Sequence, residues 1–216
     1  MLKNLRRWWR DAPATTLFTL TAVVVWLITA VQSRSITANL SDSALADRWL
    51  LWGPLVSADG FDWLRALGSV FLHVDLGHLA INSFLLALIG REIERYTGTP
   101  LFVMVFLTGG IGASATVLWM DYLTPTAGAS GAIFALMVLL VGVSLRQGRD
   151  LRAPLILIAV NVAYTFLAAS VSVWGHLGGL LTGVLMVGFV ISSRSGVCWF
   201  GVSAVLAAAC FAVVAV

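Results

Sequence analysis

The chain has 216 residues, 60% of them hydrophobic and only 11% charged, and a mean hydropathy of +0.97. A soluble domain carries roughly 25% charged residues, so this composition excludes one and marks a polytopic membrane protein. The net charge of +3 is too small to point to nucleic acid, and the length allows one bundle with little left for a soluble domain.

A membrane helix needs about 20 mostly apolar residues. Seven segments qualify: 15–33, 67–90, 101–120, 130–145, 153–172, 174–192 and 197–216. The first follows the basic stretch MLKNLRRWWR, which has the form of a signal-peptide n-region. Six further spans favour a retained helix, with Trp8 and Trp9 as interface anchors. The only long connection, 35–66, carries Trp49, Trp52, Phe61 and Trp63 among polar residues, as in a covering loop anchored at the headgroups. The second span holds His73, His78 and Asn82, and Asn82 lies one turn after His78 on the same face. The fourth is the shortest and opens with GASGAIFAL, residues 128–136. The fifth and sixth are separated by almost nothing, and the sixth begins near His176. The last contains both cysteines, Cys198 and Cys210, which read as buried thiols and not as a disulfide framework.

Charge sets the expected orientation. With the N-terminus in the cytoplasm, Lys3, Arg6, Arg7, Arg10, Arg91, Arg95, Arg146, Arg149, Arg152 and Arg194 lie inside, and Arg34, Arg48 and Arg65 outside. Seven spans then put the C-terminus outside. No internal repeat is evident, which gives an inverted-repeat transporter no support.

Ionisable residues inside spans carry information because lipid disfavours them. At ~1.5 Å per helical residue, Ser130 stands about 24 Å above Arg146, His78 about 24 Å above Glu94, and His176 about 27 Å above Arg194. Three polar groups from three helices thus reach similar heights below the outer surface. His176, Gly179 and Gly183 share one helix face, and Gly179 and Gly183 form a small-xxx-small pair. Gly131 and Ala135 offer the same spacing on the fourth span. Two such faces can pack closely enough to bring Ser130 to His176; the same glycines also suit ordinary helix packing. A serine opening a helix is more often a cap than a nucleophile. A metal site from the three histidines is disfavoured, because His73 and His78 at i, i+5 fall about 140° apart on a helix.

Several motifs taken together in chain order resemble the rhomboid family of intramembrane serine proteases. Gly128-Ala129-Ser130-Gly131 resembles the GxSG nucleophile motif, with Phe134 where an aromatic is usual. His78 to Asn82 resembles the HxxxN motif of the second helix, with His73 before it. Gly90, Glu94 and Gly98 resemble that helix's ending, and Gly175-His176-Leu177-Gly178-Gly179 with Gly183 resembles the sixth-helix motif. One departure is visible: Trp63-Leu64-Arg65 separates a Trp-Arg pair that the family often has adjacent.

The resemblance implies an all-α polytopic membrane protein: a six-helix rhomboid-like bundle over 15–192, a basic cytoplasmic tail over 1–14, and one additional C-terminal transmembrane helix within 193–216. It implies a Ser130–His176 dyad without a third carboxylate. The Ser130 N–H, His78 and Asn82 then hold the oxyanion, with Gly128 beside them. Arg65 and His73 fix the first loop, and Glu94 caps or pairs near Arg91 or Arg95. No cofactor and no metal are implied. The partners are the lipid bilayer and single-pass or polytopic membrane-protein substrates, not nucleic acid, and the location is the bacterial cytoplasmic (inner) membrane. The alternatives are a catalytically inactive rhomboid-like factor that binds membrane proteins, and a small channel or transporter, which leaves GxSG unexplained.

Overall fold

A computed structural model describes residues 10–56, 60–168 and 171–216. Trp8 and Trp9 lie outside them. The described chain is helical throughout, with a single isolated bridge between Leu51 and Thr126. Its long helices are α1 (Pro13–Ser33), α2 (Leu76–Thr97), α3 (Thr99–Met120), α4 (Ser130–Arg146), α5 (Arg152–Leu167), α6 (Val173–Val190) and α7 (Ser195–Val214). Five of them are long and apolar enough to cross a membrane; α4 and α5 are apolar but shorter, at 17 and 16 residues.

Small residues decide which helix is central. In α3 the run Gly109, Gly110, Gly112, Ala113, Ser114 and Ala115 presents almost no side-chain bulk, and all six are buried. A Cβ on Gly109 would stand 2.8 Å from the Ala135 Cβ of α4, and one on Gly110 2.8 Å from Val70. Helix α6 enters the same layer through Gly178, whose face meets Thr116 of α3, and through Gly179 and Gly183, which lie against the α4 backbone at Gly131 and Ala135. Backbone-to-backbone approach of this kind is how helices pack where no hydrophobic force separates protein from lipid. Helices α3, α4 and α6 form the core, and the others surround them with broad apolar faces outward.

The edge of the bundle is fixed by polar contacts between segments distant in sequence. Helix α1 has no side-chain cap of its own. Glu94 of α2, 2% exposed, supplies one: its carboxyl oxygens accept from Ala14 N–H (2.9 Å), Thr15 N–H (2.8 Å) and Thr15 Oγ1 (2.7 Å), and from Thr99 Oγ1 (2.8 Å). Glu94 therefore caps, but it pairs with neither Arg91 nor Arg95. Those arginines face Asp11 at 3.0 Å and Glu92 at 3.8 Å. Phe18, Phe71, Phe102 and Phe106 fill the space between α1 and α3, Phe18 stacking on Phe106 at 4.5 Å.

Two spans have boundaries that differ from the sequence reading. The second span does not run over 67–90. Residues Arg65–Gly68 and Ser69–Phe71 form two separate short turns, and α2 starts only at Leu76, where the Asp75 side chain accepts from His78 N–H at 2.8 Å. The helix then continues past Gly90 through a π-turn at Leu86–Gly90 and stops at Gly98, whose φ of 79° suits glycine. Helix α5 ends at Leu167 and not at 172; Ser172 instead caps α6, accepting from Gly175 N–H at 3.1 Å.

Helix α7 is not detached from the bundle. Its Gly201 receives the Phe189 ring of α6, and Trp119 of α3 donates to the Ala212 carbonyl at 2.8 Å. Cys198 is buried, Cys210 is half-buried, and both are free.

Candidate active site

The loop before α4 is held from outside. Leu51 and Thr126 exchange two backbone bonds (3.2 and 2.8 Å), Gly53 N–H donates to Tyr122 O (3.0 Å), and Gly128 N–H donates to Ser69 O (2.9 Å). The long first loop thus braces the segment that leads into Ser130. It is itself braced by Arg65, whose Nη1 donates to the carbonyls of Asp47 (2.6 Å) and Leu50 (3.2 Å), as expected of a loop-fixing residue. Trp49 packs on Gly68, Trp52 donates to Leu123 O at 3.0 Å, and half-buried Trp63 joins the Leu51 cluster. Trp52 and Trp63 are half-buried, whereas Trp49 is 37% exposed and Phe61 74%.

Gly128 has φ 129°, a conformation costly for any other residue. It also leaves no room for a side chain. A Cβ there would stand 2.6 Å from His78 Cε1, 2.8 Å from His78 Nε2 and 3.8 Å from Ser130 Oγ. The His78 ring occupies the space that such a carbon would need. Ala129 is the N-cap residue of α4, so Ser130 is the first helical residue and not the cap. The first i to i−4 bond of α4 runs from Ile133 N–H to Ala129 O (3.0 Å), leaving the N–H groups of Ser130, Gly131 and Ala132 without intrahelical partners at the positive end of the helix.

His176 sits one turn into α6 and is 7% exposed. Phe134, one turn along α4 from Ser130, stacks on its ring at 4.1 Å and 20°. The Gly131–Gly175 and Gly131–Gly179 contacts hold α4 and α6 together at the level of Ser130 and His176. Ser130, His176, His78, Asn82 and Gly128 all line one cavity of about 1090 Å³, walled also by Asn161 and Tyr164 of α5.

Asn82 is buried, and its Nδ2 donates to the His78 carbonyl at 2.9 Å, so one of its two amide protons is committed within α2. His73 and His78 are closer than helical spacing allows: His73 precedes the helix, and the two rings meet edge to face at 5.0 Å. The 140° separation expected from i, i+5 geometry does not hold. Among the described residues, no three His, Cys, Asp or Glu side chains are grouped to hold a metal ion. The loop is tied down at His73 through its backbone carbonyl, which accepts from fully buried Asn39, itself also bonded to Thr29 of α1 (both 2.8 Å); among the described residues the His73 side chain hydrogen-bonds only the Phe71 carbonyl, at 3.2 Å from Nδ1.

Two residues of this network carry no motif signal. Asn39 lies in a loop and Thr165 in an apolar helix. Thr165 Oγ1 lies 2.6 Å from His176 Nδ1.

Comparison with known proteins places the chain in a family. A family model for the Rhomboid domain matches residues 60–194. Rhomboid protease GluP of Bacillus subtilis is 33% identical over 128 residues, 56% of this chain and 25% of that protein. YdcA of the same organism is 29% identical over 199 residues, 85% of this chain and 92% of YdcA. Rhomboid-type serine protease 2 of Emericella nidulans is 29% identical over 133 residues, 57% of this chain and 26% of that protein. The chain thus spans about a quarter of GluP and nearly all of YdcA. It is an integral, multi-pass membrane protein, and it belongs to the rhomboid family.

Proposed function

We propose that this chain is an intramembrane serine endopeptidase that cleaves transmembrane segments of other membrane proteins with a Ser130–His176 dyad. The observation that carries the reading is the convergence of Ser130, His176 and His78 on one cavity whose wall is the start of α4. Relatives named as proteases support the same class.

The chemistry follows from the groups available. His176 takes the hydroxyl proton as Ser130 Oγ bonds to the scissile carbonyl carbon. The resulting oxyanion meets the N–H groups at the start of α4 and the side chains of His78 and Asn82. Collapse breaks the C–N bond, and His176 returns the proton to the leaving amine. Water then attacks the acyl-enzyme, its proton passing through His176 to Ser130 Oγ, which releases the carboxyl product. The cavity must therefore be wet, and irregular backbone at this depth is tolerable only where it lines such a cavity. A substrate helix must unwind locally to expose its carbonyl, so small residues and helix breakers near its outer end favour cleavage.

In this reading residues 15–192 form the catalytic domain, 1–14 a basic cytoplasmic tail, and 193–216 an added transmembrane helix. The N-terminus is cytoplasmic, and the membrane is the bacterial inner membrane. The test is cleavage of a reporter transmembrane substrate. Ser130→Ala and His176→Ala should each abolish it while the protein remains folded in detergent, and a chelator should leave it unchanged. Full activity in either variant refutes the dyad. Loss with EDTA that zinc restores would favour a metal mechanism.

A further inference from the structure

A base must present a bare nitrogen to its nucleophile, and a neutral imidazole has only one. What decides which nitrogen of His176 is bare is the group on the other one. That group is Thr165 Oγ1, 2.6 Å from Nδ1 and 3% exposed, on α5. The hydroxyl has one proton and two neighbours. The second neighbour is the Asn161 carbonyl, 2.8 Å away, which can only accept. With the hydroxyl proton on Asn161, the oxygen can only accept from His176. Nδ1 then carries the hydrogen, and Nε2 is left bare for Ser130.

The opposite assignment, with Thr165 donating to Nδ1, would put the hydrogen on Nε2 and leave no base. It would also fail once His176 gained a proton, because both ring nitrogens then donate. Only the first arrangement serves both charge states without turning a buried hydroxyl during the reaction, which is the condition for preorganised stabilisation. A neutral partner also suits this depth. A buried carboxylate would carry a heavy desolvation penalty.

We propose that Thr165 is a positioning residue of the active site: an uncharged third member that fixes the His176 tautomer and ring orientation from the neighbouring helix. This rests on the Ser130–His176 reading above. Helix α5 is otherwise lightly packed; Pro154 and Thr165 are its only buried residues among those described. The tautomer bond is thus one of the few anchors of that helix to the core.

The test uses the full chain in detergent. Thr165→Val keeps shape and removes the hydroxyl; Thr165→Ser keeps the hydroxyl. Removing the outer partner that orients a metal-bound histidine typically costs about 10- to 100-fold, and the same factor is expected for an oriented histidine base. Thr165→Val should lower kcat by that factor with KM within about twofold, and Thr165→Ser should restore most of it. The direct readout is 15N NMR of histidine-labelled protein, which holds only three histidines. In the unmutated protein the His176 signal, assigned by His176→Ala, should show a protonated Nδ1 and a bare Nε2; Thr165→Val should yield a mixture. Unmutated protein with Nε2 protonated overturns the proposal even if the valine variant does not fold, and so does Thr165→Val with unchanged kcat. Ser130→Ala run alongside separates the two readings. If it still cleaves, the dyad itself fails and this proposal with it. If it is inactive while Thr165→Val is fully active, only the role of Thr165 is lost.

Discussion

His78 and Asn82 divide the labour of one helix turn in a way their spacing alone does not reveal. His78 Nε2 lies against Gly128, on the cavity that Ser130 also lines, while its buried Nδ1 has no hydrogen-bond partner among the described residues. Asn82 has one amide proton on the His78 carbonyl and one remaining. Removing an oxyanion donor typically lowers rate by about 10²–10³. His78→Ala and Asn82→Ala should each show such a loss in cleavage rate at unchanged melting temperature, with slowed but persistent labelling of Ser130. A purely structural Asn82 would contribute about 0.6 kcal/mol, and its loss would lower melting while turnover stayed normal. Glu94 behaves oppositely. Four donors converge on its two oxygens, and Gln offers only one acceptor. Glu94→Gln should destabilise the protein by about 2–3 kcal/mol, since buried unsatisfied donors cost about 1–3 kcal/mol. Its checks are thermal unfolding, and the per-molecule turnover of the folded fraction, which should be nearly normal.

At the level of helices, the α4–α6 crossing sets the site. A Cβ on Gly179 would run into the Gly131 backbone, one residue from Ser130, whereas a Cβ on Gly188, farther along the same helix, would meet nothing within 4 Å. Gly179→Ala should therefore lower both stability and cleavage, by at least about tenfold in rate. Gly188→Ala should be neutral or gain up to about 1 kcal/mol from helix propensity. Equal effects of the two would show that the crossing is not tight. This face was legible in the sequence because small residues at i and i+4 leave a pattern. The candidates His78 and His176 stand out as ionisable groups in apolar runs, and Ser130 through the GASG stretch that resembles GxSG. The start of α2 was not legible. The apolar residues of 67–74 continue the hydropathy of the span, while what ends the turns is the geometry of the Asp75 cap. The partners of Glu94 were equally hidden: the charges nearest in sequence are arginines, but the donors it meets on α1 lie 79 and 80 residues away. Thr165 leaves no trace, since a lone threonine in an apolar helix commonly bonds its own i−4 carbonyl, and it does so here as well.

Across the whole molecule, three closely packed helices form the core, four outer helices and a braced loop surround them, and the proposed site draws on α4 and α6 of the core and on α2 and α5 beside it. The basic residues divide ten to three between the two sides, which gives the proposed orientation. With Cys198 and Cys210 replaced, a cysteine at exposed position 41 should react with a membrane-impermeant maleimide in intact cells, and one at exposed position 149 should not. The reverse pattern would invert the topology and put the cavity on the cytoplasmic side. The central claim, that His176 makes the Ser130 hydroxyl a nucleophile, is tested most directly by a fluorophosphonate followed by peptide mass spectrometry. One covalent adduct, on Ser130, is expected in the unmodified protein, with a rate of formation at least about 10³-fold lower in His176→Ala, as for loss of a general base. An adduct on another residue, or labelling of Ser130 at the same rate without His176, would contradict it.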